Sequence, residues 1–137
     1  SELAKGFDWV NDIEKLPFIG ITAFSNSSNE YSGSIVEEHV FIYESLLRIK
    51  FGIYIEEARL ITKEELTSND IGCSAEDWTC ENAPSFIYST SYWSGSAYTA
   101  NFVWIVVSTD NFNHGIFYND SLFGVRPVIV ISKDYFN

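Results

Sequence analysis

Methionine is absent from the 137 residues, glutamate is absent after Glu81, and cysteine occurs only at positions 73 and 80. Basic side chains are scarce as well, with 8 Lys and Arg against 19 Asp and Glu and a net charge of −11. So few cations leave the chain without the phosphate-neutralising contacts that nucleic-acid binding needs, so no nucleic-acid partner is expected. Attraction to an anionic membrane surface is excluded on the same ground. No apolar run approaches the length of a membrane span, so the chain is not expected to insert directly into a membrane. The opening stretch SELAKGFDWV has neither a basic start nor an apolar core, so it does not read as a signal peptide. Without an initiator Met, the chain reads as a piece cut from a longer surface protein. On that reading it is extracellular or on the cell surface, anchored by a segment outside it.

Chemistry-bearing patterns are missing too. There is no HExxH, no glycine-rich phosphate loop and no EF-hand run. No acidic cluster in the C-terminal half has calcium-ligand spacing. No metal, no cofactor and no catalytic residue is therefore expected. His39 lies between Glu38 and Val40 in a helical pattern and reads as a helix-face residue. His114 lies in a stretch rich in Asn and Ser, where a Ser-His-Asp arrangement could be drawn almost anywhere.

The residues that are present point to a folded domain. Hydrophobic residues make up 46% of the chain and aromatics 17%, enough for one domain with a sizeable core and with rings to spare for a binding surface. Cys73 and Cys80, with six residues between them, suit a small disulfide-closed loop made in an oxidising compartment. Two free thiols are the alternative. A zinc pair fits less well, because no further Cys exists and both His are distant.

Along the chain, residues 7 to 24 hold short apolar groups around Pro17, as in one or two strands. Ser34 and Glu37 form a capping box, and Val36, Val40, Tyr43 and Leu47 then recur at helical spacing, with Gly52 as the stop. Thr62 and Glu65 form a second box, which predicts a short helix over residues 63–68. Three later runs, SFIYSTSYW, FVWIVVS and GVRPVIVIS, read as strands. Residues Asn111 to Phe123 mix Asn, His, Asp and Ser with large apolar side chains in no clean period, and read as loop. The fold class is therefore α+β, two helices followed by an antiparallel β meander. Arg59 and Arg126 stand inside apolar runs and need partners there, which predicts that they tie strands and loops together.

The segment EARLITKEEL resembles a signature of the formylglycine-generating-enzyme branch of the C-type lectin fold, matched at Arg59, Leu60, Thr62 and Glu65. SYWSGSAY, VWIVV and GVRPVIVISKDYF follow in the order found in uncharacterised surface proteins of Bacillota. The resemblance covers residues 34 to 136 and implies one C-type lectin-like domain over residues 1–137. It also raises the oxidase activity of that enzyme branch. That activity uses a pair of cysteines near the C-terminal strand, and no Cys follows Cys80. The chain is therefore not expected to be an enzyme. The sugar-binding calcium motifs of animal C-type lectins are absent as well.

In such a fold the region from Tyr98 to Phe123 offers an exposed face. Rigid aromatics supply contact area at low entropy cost, and Asn supplies adaptable hydrogen bonds. The expected ligand-binding residues are Tyr98, Asn101, Phe102, Asn111, Phe112, Asn113, His114, Phe117, Tyr118 and Asn119, facing a protein or glycan partner. Ser94 to Ser132 also lacks Lys, Glu, Gln and Met and holds a single Trp. That is the pattern left by adenine mutagenesis of pyrimidine-ending codons, as in variable proteins diversified by retroelements. The expected function is extracellular recognition. The rival is a structural surface or pilus subunit that only self-associates.

Overall fold

The computed structural model describes residues 19–51, 55–119 and 121–131. Strand β1 (Ile21–Thr22) is followed by helix α1 (Ile35–Phe51), strand β2 (Ile55–Arg59) and helix α2 (Lys63–Leu66). A 3-10 turn (Ser85–Tyr88) leads into β3 (Tyr92–Ala97), β4 (Phe102–Val107), β5 (Asn111–Phe117), β6 (Phe123–Gly124) and β7 (Val128–Ile131). The class is α+β with a mostly antiparallel sheet. Of the strands expected within residues 7 to 24, β1 is present, and residues up to 18 lie outside those described.

Both helices start at the predicted caps. At α2 the box is complete: the Glu65 N–H donates to Thr62 Oγ1 at 3.2 Å, and the Thr62 N–H donates to Glu65 Oε1 at 3.0 Å. At α1 only half of it forms. The Glu37 N–H donates to Ser34 Oγ at 3.0 Å, but the Glu37 carboxylate accepts from Gly33 one residue further back. Val36 and Val40 are buried, whereas Tyr43 and Leu47 are only half-buried. The opposite side of α1 carries Phe41, Ile42, Leu46 and Ile49, all exposed. Helix α2 is shorter than predicted, ending at Leu66 rather than residue 68.

Five strands pair in the order β1-β6-β3-β4-β5, and β2 pairs with β7 in a second, two-stranded sheet. The run β3-β4-β5 is an antiparallel meander, but its third strand is the stretch read as loop, where GVRPVIVIS was expected. The chain then departs from it, because β6 returns to lie parallel to β3 and antiparallel to β1. The indole Nε1 of buried Trp93 donates to the Thr22 carbonyl at 2.7 Å and so ties β1 to the sheet. One face of the large sheet packs Val36, Val40, Leu60, Trp93, Val103 and Ile105. Tyr92, Trp104, Val106 and Phe112 lie on the other, against Ile61, Leu66, Phe86 and the two cysteines. Each such aliphatic or aromatic side chain contributes on the order of 1.5–3 kcal/mol by leaving water.

Three strand expectations are corrected. The run SFIYSTSYW begins not as a strand but as the 3-10 turn, started by Pro84 at φ −56°. GVRPVIVIS, expected as one core strand from Gly124 to Ile131, is two strands in two sheets. Pro127 has no N–H to give a ladder, and the chain changes sheets there. Finally, Asn111 to Phe117 is a strand rather than loop. It looked aperiodic because it contains a β-bulge. From the pair Ile105↔Asn113 to Val103↔Ile116, β4 advances two residues while β5 advances three. The extra residue, at His114–Gly115, resets the alternation.

Both arginines act as ties. Arg59 donates to both Glu65 carboxylate oxygens, at 2.7 and 2.8 Å. Burial works to raise the Glu65 carboxyl, but the Arg59 fork and the Thr62 N–H outweigh it and hold the group below the usual carboxylate range. Buried Arg126 donates to Thr90 Oγ1 and to the Phe86 carbonyl and lies 4.7 Å over the Tyr92 ring. The outer edge of β2 is also occupied. Glu44 of α1 accepts the Ala58 N–H at 2.6 Å, and Arg48 donates to the Glu56 carbonyl at 3.1 Å.

Candidate functional site

Cys73 and Cys80 form a disulfide, and both are buried. Within the loop they close, Ser74 and Thr79 exchange backbone hydrogen bonds of 2.7 and 3.2 Å. The Asp77 N–H donates to Ser74 Oγ at 3.1 Å. These bonds leave Trp78, directly before Thr79, with φ +57°. A left-handed conformation is costly for a bulky residue and belongs more naturally to Gly or Asn. The loop also docks on the free edge of β5. The Phe112 N–H donates to the Trp78 carbonyl at 3.0 Å, and the Cys80 N–H donates to the Asp110 carbonyl at 2.6 Å.

This docking sets Trp78 against the bulge of β5. The His114 imidazole meets the Trp78 ring edge-on at 4.3 Å between centroids, tilts over Tyr98 at 3.9 Å and meets Trp104 at 4.8 Å. Lys63, at the start of α2, lies 5.5 Å over the Trp104 ring. Trp104 is buried, at 5% exposure, and serves as the floor. Trp78 at 45% and Tyr98 at 42% remain open to solvent. Among the described residues, His114 Nδ1 is the buried side-chain polar atom without a hydrogen-bond partner. Leaving such an atom unpaired costs on the order of 1–3 kcal/mol.

The ten residues expected at a binding face are only partly brought together. Tyr98 and His114 are in direct ring contact. Phe102 pairs with Phe117 across the β4–β5 ladder, rings 6.0 Å apart, and strand alternation puts this pair on the same face as Trp104. Asn111 and Asn113 pair with Val107 and Ile105 and so belong to the opposite face. Tyr118 packs against the core cluster on that opposite face as well. Asn101 and Asn119 are exposed in turns. Phe112 is the clear correction: it is fully buried against Trp104, with ring centroids 4.6 Å apart, and belongs to the core. The bulge explains why it was misjudged, since Phe112 lies on the near side of it. Sequence reasoning missed Trp78, Trp104 and Lys63. The signal was available for Trp78, a bulky residue inside the tight Cys-bounded loop.

The arrangement offers exposed rings, a cation and a half-buried imidazole. No hydroxyl or thiol among the described residues is hydrogen-bonded to the imidazole. Among the described residues, no group of three His, Cys, Asp or Glu could hold a metal ion. A second concavity, about 610 Å3 between α1 and β2, is lined by Glu37, Glu38, Glu44 and Glu57. Three of these carboxylates are already engaged, with Gly33, Ala58 and Arg59. No helix among the described residues is long and apolar enough to cross a membrane. The chain matches no protein-family model, and no curated protein or solved structure matches it significantly.

Proposed function

We propose that the chain is an extracellular recognition domain of C-type lectin-like type, and that it binds a protein or glycan partner through the face built by Trp78, Tyr98 and His114. The observation that carries this reading is Trp78 itself. It is exposed, it is kept in an unfavourable backbone conformation, and a disulfide-closed loop holds it against His114, which also meets the exposed ring of Tyr98. Neither core packing nor turn chemistry calls for an indole there. Strain kept at an exposed aromatic is a reason to look for a ligand, and paired rigid rings are what recognition surfaces use. The missing Lys, Glu, Gln and Met of the C-terminal stretch coincide in part with buried β4 and β7, where packing alone excludes charge. Retroelement diversification therefore applies only to the exposed positions outside these strands, such as Tyr98, Asn101 and Asn119.

The rival reading, a self-associating structural subunit, is favoured by the apolar side of α1, where Ile49 is 84% exposed and Phe41, Ile42 and Leu46 lie beside it. One pair of experiments separates the two. Arrays of extracellular glycans and ectodomains are probed with the wild type, Trp78→Ala and Tyr98→Ala, and each protein is sedimented over a wide concentration range. Recognition is expected to show as a hit lost in both variants, with a monomer throughout. Concentration-dependent assembly abolished by Leu46→Glu, with no hit sensitive to Trp78, would replace it with the structural reading.

A further inference from the structure

We propose that the cleft between the β1–β6 pair and the start of β3, remote in chemistry from the Trp78 face, binds a monocarboxylate carrying a short apolar chain. The cleft has a volume of about 370 Å3, and its lining divides into a polar and an apolar part. Ser89, Thr90, Ser91 and Ser108 supply four hydroxyls, and Ile21 and Leu122 supply two aliphatic side chains that are 62% and 69% exposed. Among the described residues no carboxylate lines it, in a protein of net charge −11.

The hydroxyls are poised as donors. Thr90 Oγ1 accepts from Arg126 at 3.1 Å, so its own hydrogen points away from the guanidinium. Ser91 Oγ accepts the Ser108 N–H at 3.0 Å, which leaves its hydrogen free as well. Only Ser89 has given its hydrogen away, to the Phe86 carbonyl at 3.1 Å. A charge stands behind them. Arg126 is 5% exposed, and its partners are a hydroxyl, a carbonyl and a ring, with no carboxylate among them. Burial without such a partner pushes its pKa down. A buried cation lacking a counter-ion is expensive, and an anion accepting the Thr90 hydroxyl would lie roughly 5–6 Å from it. That anion would supply the missing charge through a polarised O–H.

One guanidinium matches one negative charge, and a strongly acidic protein repels polyanions. This favours a carboxylate over phosphate or sulfate. Ile21 and Leu122 at the mouth then call for an apolar substituent on it. A free short-chain acid and the C-terminus of a peptide share this chemistry.

The test uses the 137-residue chain, with amide chemical shifts followed during titration with sodium hexanoate, hexanol, hexylammonium and inorganic phosphate. Hexanoate is expected to move Thr90, Ser91, Ser108 and Phe123 saturably, at least about tenfold more tightly than the other three. Leu122→Asp puts a carboxylate at the mouth on an exposed side chain, so the fold should be kept and hexanoate binding lost. Equal or tighter binding of hexanol or phosphate, shifts confined to other residues, or no saturable shift overturns the proposal. A hexapeptide ending in Leu, as free acid and as amide, then distinguishes the two sources. Tighter binding of the free-acid peptide than of hexanoate assigns the site to chain termini, and the reverse order assigns it to free acids.

Discussion

The indole of Trp78 meets the imidazole of His114 edge-on, 4.3 Å between ring centroids, and the Cys73–Cys80 loop holds it there. The contact joins two segments far apart in sequence. It therefore depends on the loop keeping its shape, and its integrity can be read from the disulfide.

Intact mass after alkylation should show no modified cysteine without reductant and two with it. Two alkylated cysteines in the native, unreduced protein would rule the bond out. Closing so short a loop is worth about 2.5 kcal/mol by loop entropy, so reduction should lower the unfolding free energy by about that amount. It should also shift the His114 ring resonances, because Trp78 loses its fixed place beside them.

Phe112 and Phe117 share β5 and chemical type but differ in surroundings. Phe112→Ala should cost about 3–5 kcal/mol by opening a cavity beside Trp104. Phe117→Ala, which removes a half-buried ring, should cost nearer 1 kcal/mol. Ile129→Ala, in buried β7, should cost about 2–4 kcal/mol. Urea denaturation of the three variants orders them. A Phe117 variant as unstable as the Phe112 variant would mean that the outer half of β5 is core.

Acid should weaken the fold through Glu65. Its carboxyl is held below the ordinary value of 4.5, so its contribution is fully present above that value and is lost as pH falls through the lower, folded pKa. Between pH 5 and 2 the unfolding free energy of the wild type should therefore fall more steeply than that of Glu65→Gln. The Gln variant should be the less stable at pH 7, because it leaves Arg59 without its bidentate partner. Parallel slopes would place the acid sensitivity elsewhere.

Calcium should leave the melting midpoint unchanged. Scans with EDTA and with millimolar calcium should superimpose, and a clear rise with calcium would reveal a site built largely from carbonyl oxygens.

Local chemistry was legible in the sequence and non-local geometry was not. The Thr62–Glu65 box and the β4 run FVWIVV could be read directly, because cap hydrogen bonds and β-branched runs act over a few residues. The path of β6 could not, because its parallel pairing with β3 is set by packing of chain segments some thirty residues apart. The bulge at His114 hid a strand by breaking its alternation, and Phe112 was misassigned with it. Trp78 escaped because its importance comes from a loop folding back onto β5.

The capped strand edges constrain how copies of this chain could join. The outer side of β2 already bonds Glu44 and Arg48, the start of β5 bonds the disulfide loop, and Asn113 Oδ1 takes the Gly115 N–H at 2.7 Å. A neighbour offering a strand would find these backbone groups engaged. At the β2 edge and the start of β5, copies of this domain would have to be joined by side chains meeting side chains, and such a contact should dissolve under conditions that leave hydrogen-bonded strand polymers intact.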